Sequence, residues 1–184
     1  ALSTLFPFTT LFRSTLEDLK KFPYLRELCL NECIVDDNTA LGELTKLENL
    51  KLDGYSIDSL DRLKNLTALK SLIIQGAEFE DLQALKELTN MEELRLPNNN
   101  IKNIDALEKM TNLEELILYG NQIKNISALR KLCKLRVLKL EGNLIEDVEP
   151  LMNLKNLEKL SLGDNPVKNV QLLENLTGTD IDLE

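Results

Sequence analysis

Residues 113–134 read LEELILYGNQIKNISALRKLCK, and this 22-residue phrase decides the fold. Apolar residues stand at its positions 1, 4, 6, 11, 14, 17 and 20 (Leu113, Leu116, Leu118, Ile123, Ile126, Leu129, Leu132), with Asn121 at position 9. In steps of 22 the same phrase begins at Leu25, Leu47, Leu69, Met91, Leu135 and Leu157, which makes seven unbroken units over residues 25–178. Around positions 3 to 7 polar and apolar residues alternate, the period of a half-buried strand. Positions 4 and 6 therefore point inward, and 3, 5 and 7 face solvent. Too few residues remain for a full helix on the return path, so 3₁₀ turns are expected there.

A fixed period of about 20–29 residues with this spacing marks a leucine-rich-repeat solenoid. The predicted class is an α/β solenoid. It forms an arc with a parallel sheet on the concave face and 3₁₀ or short helical turns on the convex face. Each repeat can bury its leucines only against the repeats on either side. Resemblance to this class implies a protein–protein interaction module without enzymatic activity.

Position 9 is asparagine in the last four repeats (Asn99, Asn121, Asn143, Asn165) and Cys33, Tyr55 and Ala77 in the first three. A buried asparagine can satisfy backbone groups that a tight turn leaves unpaired, each of which otherwise costs about 1–3 kcal/mol. The N-terminal half is thus expected to be the less regular and less stable part. Glycine at position 8 (Gly54, Gly76, Gly120, Gly142) suits a turn with positive φ.

Residues 15–184 read as one domain. It comprises a partial repeat at 15–24, the seven repeats at 25–178, and the start of an eighth at 179–184, where Ile181 and Leu183 fall one residue early. Ser14 followed by Glu17 fits a capping box. Residues 4–14, TLFPFTTLFRS, resemble the translation of a common sequencing adapter, so 1–14 is expected to be non-native sequence.

The chain has 31 acidic and 22 basic side chains, a net charge of −9. That balance opposes sequence-independent nucleic-acid binding, which needs a basic face, and favours basic partners. No run of about 18 apolar residues exists to cross a membrane. The three cysteines (Cys29, Cys33, Cys133) have no metal-ligand spacing and fit a reducing compartment.

Chemistry-bearing motifs are sparse. There is no histidine, and none of the seven glycines forms a phosphate-cradling loop. The acidic pairs Asp36-Asp37, Glu80-Asp81 and Glu146-Asp147 recur at positions 12 and 13, but never in adjacent repeats. They read as a solvated edge. The basic run 130–139, RKLCKLRVLK, falls at scattered repeat positions and makes no single surface. The sequence thus predicts no catalytic residue, metal site, cofactor or small-molecule substrate.

The outward rows of the strand hold the candidate binding residues. Ile73, Ile117, Tyr119 and Val137 are apolar or aromatic where solvent is expected, and Arg95 and Lys139 flank them. An apolar centre with a charged rim is how interface hot spots are built.

The unit LxxLxLxxNxIxxIxxLxxLxx resembles the repeats of the protein-phosphatase-1 regulatory subunit of this type. It equally resembles those of the bacterial internalins, which favour LTNL, as in Leu88-Thr89-Asn90-Met91 and Met110-Thr111-Asn112-Leu113. Leu25 to Cys33, LRELCLNEC, resembles the first repeat of the acidic leucine-rich nuclear phosphoproteins, which have fewer repeats and a long acidic tail. These resemblances imply an intracellular adaptor or regulatory scaffold, cytoplasmic or nuclear, whose partner is a phosphatase or a basic protein. The alternatives are a bacterial cell-surface adhesin of internalin type and the targeting domain of a larger enzyme.

Overall fold

The computed structural model describes residues 4–5, 14–30, 35–37, 39–53, 57 and 59–184, with side chains described at 19–30, 39–52, 57 and 59–184. Gly54, Cys33, Tyr55, most of 1–14, and the side chains of Ser14, Glu17, Asp36 and Asp37 lie outside that description. Nine parallel strands form one open sheet. Their order is β1 (Thr4–Leu5), β3 (Glu27–Leu30), β5 (Asn49–Asp53), β6 (Ser71–Gln75), β7 (Glu93–Arg95), β8 (Glu115–Ile117), β9 (Val137–Lys139), β10 (Lys159–Ser161) and β11 (Asp180–Asp182). A second, two-stranded sheet pairs β2 (Ser14–Thr15) with β4 (Val35–Asp37).

Register follows the 22-residue period without slip from β3 to β10. Leu28, Leu50, Leu72, Leu94, Leu116, Leu138 and Leu160 stand side by side. Ile181 then pairs with Leu160 at an offset of 21 residues. A one-residue slip inside this column would turn every leucine outward, so burial itself holds the register.

All helical segments among the described residues are 3₁₀. The reason is in the spacing: positions 14, 17, 20 and the next position 1 are three apart, the 3₁₀ period, which stacks them on one face. In the fifth repeat the bonds run Leu129 N to Ile126 O at 3.0 Å, Leu132 N to Leu129 O at 3.0 Å and Leu135 N to Leu132 O at 3.0 Å. Those leucines and the inward strand leucines make one continuous core, with Leu94, Leu116, Leu129 and Leu138 fully buried.

The asparagines at position 9 do what their position implies. Asn121 accepts from Ile101 N (3.0 Å) and donates to the carbonyls of Leu96 (3.1 Å) and Leu118 (2.9 Å), joining two repeats. Asn143 and Asn165 repeat the pattern, and Asn99 accepts from Ala77 N and Phe79 N. Position 8 is left-handed throughout the described repeats: Gly76, Gly120 and Gly142 are joined by Asn98 and Asp164, both at φ 54°. Asparagine and aspartate tolerate that region better than other non-glycine residues. Glu78, one residue beyond Ala77, also sits at φ 60°.

Candidate partner-binding surface

The strands carry the six candidate residues on the concave face. Ile73, Arg95, Ile117 and Lys139 are neighbours in one row across β6 to β9. Val137 stands beside Glu115 in the adjoining row. Tyr119 follows β8, and its carbonyl accepts from Asn98 N at 2.9 Å. The sheet therefore brings together all six.

One expectation needs correction. Ile117 was expected to face solvent, yet it is only 8% exposed. It stands between Arg95 and Lys139 in its row, on strands about 4.8 Å apart. It forms the floor of the patch, while Ile73, Tyr119 and Val137 are half-buried. Arg95 is also not a free cation. Its Nε lies 2.6 Å from Glu93 Oε1 and its Nη2 lies 2.9 Å from Glu115 Oε1, so one guanidinium bridges two strands. Glu93 additionally accepts from Ser71 Oγ at 2.6 Å. Lys139 forms no ion pair among the described residues.

Several neighbours were not singled out from the sequence. Pro97, buried beside Tyr119 in the same row, extends the apolar floor. Glu141, on the other side of Tyr119, has a buried Oε2 with no hydrogen-bond partner among the described residues. Position 2, at the edge of the sheet, carries Arg26, Glu48, Lys70, Glu92, Glu114, Arg136 and Glu158 in register. Glu48 takes both Arg26 and Lys70, and Arg136 binds Glu158 through two hydrogen bonds of 2.8 and 3.1 Å. The hydrogen bond from Lys70, with Arg26 close by, holds the Glu48 carboxyl below its usual range. The signal for this row was the 22-residue spacing of charged residues.

Two of the acidic pairs, Glu80-Asp81 and Glu146-Asp147, prove to be structural; the side chains of Asp36-Asp37 lie outside the described residues. Asp81 accepts from Gln83 N at 2.9 Å and Asp147 from Glu149 N at 2.9 Å. Ser59, Asn103 and Asn125, at the same position 13, do likewise two residues on. These side-chain turns start the five 3₁₀ segments that follow them, from Leu60–Leu63 to Glu149–Leu151. The backbone N–H of Glu149 holds the Asp147 carboxyl low, helped by Asn169. Glu146 pairs with Lys168 and Glu80 with Lys102. Among the described residues no group of three or more His, Cys, Asp or Glu could hold a metal, and no helix is long and apolar enough to cross a membrane. The basic run disperses as expected: Arg130 reaches Glu149, Lys131 reaches Glu108 and Arg136 reaches Glu158.

A family model described as Leucine Rich repeats (2 copies) matches residues 89–131, 111–153 and 133–178. None of the curated proteins matches the sequence. Among solved structures, internalin C2 from Listeria monocytogenes superposes with a TM-score of 0.92 at 31% identity, covering all of this chain and 81% of that one. Internalin F from the same organism gives 0.82 at 31% identity, over 90% of this chain and 49% of that one. The ectodomain of the plant receptor kinase GASSHO1/SCHENGEN3 from Arabidopsis thaliana, solved in complex with Casparian strip integrity factor 2, gives 0.69 at 22% identity. The chain covers 21% of that ectodomain, over 86% of its own length, a likeness of fold. Period, sheet and full-length similarity agree that this chain belongs to the leucine-rich-repeat family and is a protein–protein interaction module.

Proposed function

We propose that the chain holds a partner protein on its concave face, as a non-enzymatic adaptor or regulatory scaffold. The contact region is Ile73, Arg95, Tyr119, Val137 and Lys139 over the floor made by Ile117. One observation carries this reading: half-buried Ile73, Tyr119 and Val137 surround buried Ile117 and Pro97 on a face whose other positions are mostly charged or polar. Aromatic and aliphatic anchors ringed by polar groups are where interface energy concentrates. A photo-reactive amino acid placed at Tyr119 should cross-link the partner, and one at Lys124 on the opposite side should not. Cross-linking from Lys124 alone would overturn the reading.

A second reading, an internalin-type surface protein, is favoured by the 31% identity to internalin C2 over the whole chain. The intracellular reading draws on free Cys29 and exposed free Cys133. Sequencing the native transcript outward from 113–140 separates them. A secretion signal and wall anchor select the surface protein, and their absence from a complete reading frame selects the adaptor. The same read tests the proposal that 1–14 is not encoded.

A further inference from the structure

The charges on the concave face are not evenly matched. In the edge row the outer members are paired: Arg26 and Lys70 with Glu48, and Arg136 with Glu158. The two inner members, Glu92 and Glu114, stand just before the adjacent strands β7 and β8, with Glu114 N bonded to Glu92 O at 2.8 Å. Both are exposed, and neither forms an ion pair among the described residues. Arg136 turns its guanidinium to Glu158 and feels Glu114 only across space. Like charges directly opposite on a sheet are destabilising. One residue inward, Glu93 and Glu115 share the single guanidinium of Arg95. Repeats 4 and 5 thus present four carboxylates and one cation at positions 2, 3 and 5. The apolar seat adjoins them: Val137 stands beside Glu115, and Ile117 lies three residues beyond Glu114, about 10 Å along the strand at about 3.3 Å per residue.

The geometry points to a partner segment that is basic and apolar together. Its arginine or lysine side chains meet Glu92 and Glu114, and an aliphatic or aromatic side chain seats on Tyr119 and Val137. This deepens the concave-face reading and rests on it. Charge complementarity supplies the argument: the surface holds two unmatched negative charges beside an apolar seat, and matching of this kind sets partner choice and on-rate. A partner that brought carboxylates to the same place would meet the unmatched charges of Glu92 and Glu114 at short range.

The test uses a labelled short peptide interspersing arginine, leucine and glycine, with a glutamate-for-arginine peptide as its mate. Binding is followed by fluorescence anisotropy. The full chain should bind the basic peptide and not the acidic one, with affinity falling as salt rises. The double variant Glu92→Lys/Glu114→Lys should lose about tenfold or more in affinity. A control with the same change in net charge, Glu87→Lys/Glu174→Lys, alters two exposed carboxylates away from the sheet and should bind like the unmodified chain. An equal loss in both variants, or no loss in either, would overturn the proposal, since the acidic chain would then be acting only as a diffuse field. The concave-face reading is judged separately. A partner cross-linked from Tyr119 whose affinity ignores Glu92→Lys/Glu114→Lys leaves that reading intact and removes only the basic partner.

Discussion

Two stretches of the solenoid share one period and differ at one position. From Asn99 to Asn165, four asparagines take backbone N–H groups of the preceding repeat; Asn121, Asn143 and Asn165 return their amides to carbonyls of both repeats, and Asn99 to those of its own. From Leu25 to Ala77 that position holds cysteine, tyrosine and alanine. In the first stretch position 8 alone is left-handed, and the strands stop after three residues. In the second the strands run to four or five residues, and Glu78 takes a left-handed backbone with no glycine to ease it. The leucine column is the same in both. Hydrophobic burial makes the stack, while the asparagine row decides how the chain leaves each strand.

Substitutions can break this difference or sharpen it. The largest effect is expected from Asn121→Ala, which strands the buried Ile101 N–H and leaves the carbonyls of Leu96 and Leu118 with one side-chain amide each, from Asn99 and Asn143. At about 1–3 kcal/mol for the orphaned group, urea unfolding should show a loss on the order of 2 kcal/mol. An unchanged midpoint would mean that the row is ornamental.

Glycine at position 8 comes next. Gly120→Ala forces φ +68° on alanine and sets its Cβ 2.4 Å from Asn98 Oδ1, so that exposed amide must swing away. Gly76→Ala at φ +66° meets nothing within 4 Å. The shared left-handed penalty is about 1–2 kcal/mol, and Gly120→Ala should exceed Gly76→Ala by some tenths in thermal melts. Equal losses would show that contact with the neighbouring repeat adds nothing.

The reverse exchange tests whether the N-terminal stretch lacks only its ladder. Ala77→Asn with Glu78→Gly supplies the missing amide and removes the strained residue, for a gain of about 1 kcal/mol. Hydrogen exchange at Ile57 N should slow with it, as the equivalent Phe79 N is held by Asn99. No slowing would place the irregularity elsewhere.

Acid should act least and unevenly. Glu108, Glu146 and Glu158 are held below the usual carboxylate range chiefly by hydrogen bonds from Lys131, Lys168 and Arg136, and Asp147 by the Glu149 N–H. A depressed folded value means that the stabilisation is present above the ordinary carboxylate range and is lost as pH falls through the folded value. In the N-terminal stretch only Glu48, among the described residues, is held down in this way. Acid should therefore weaken the C-terminal stretch slightly more, and salt should shrink the gap because every pair is exposed. Carboxyl NMR titration with and without salt reads this directly. Equal folded values in the two salts would show that Coulomb attraction contributes little.

Much of this was legible in the chain. Spacing alone gave the repeat boundaries, the inward rows from Leu28 to Leu160, the 3₁₀ return path and the bridging asparagines, because each depends on a residue's place in its own repeat. The six candidate residues were also placed on one face by counting. The caps at position 13 could have been read from the recurrence of Ser59, Asp81, Asn103, Asn125 and Asp147, all residues that favour turns. Tertiary structure alone decided that Ile117 is covered, that Arg95 is spent on Glu93 and Glu115, and that Glu92 and Glu114 are left without cations. Periodicity fixes which way a side chain points. Whether it is buried or paired depends on the lengths and charges of neighbours 22 residues away on both sides, and those are settled only when the strands lie together.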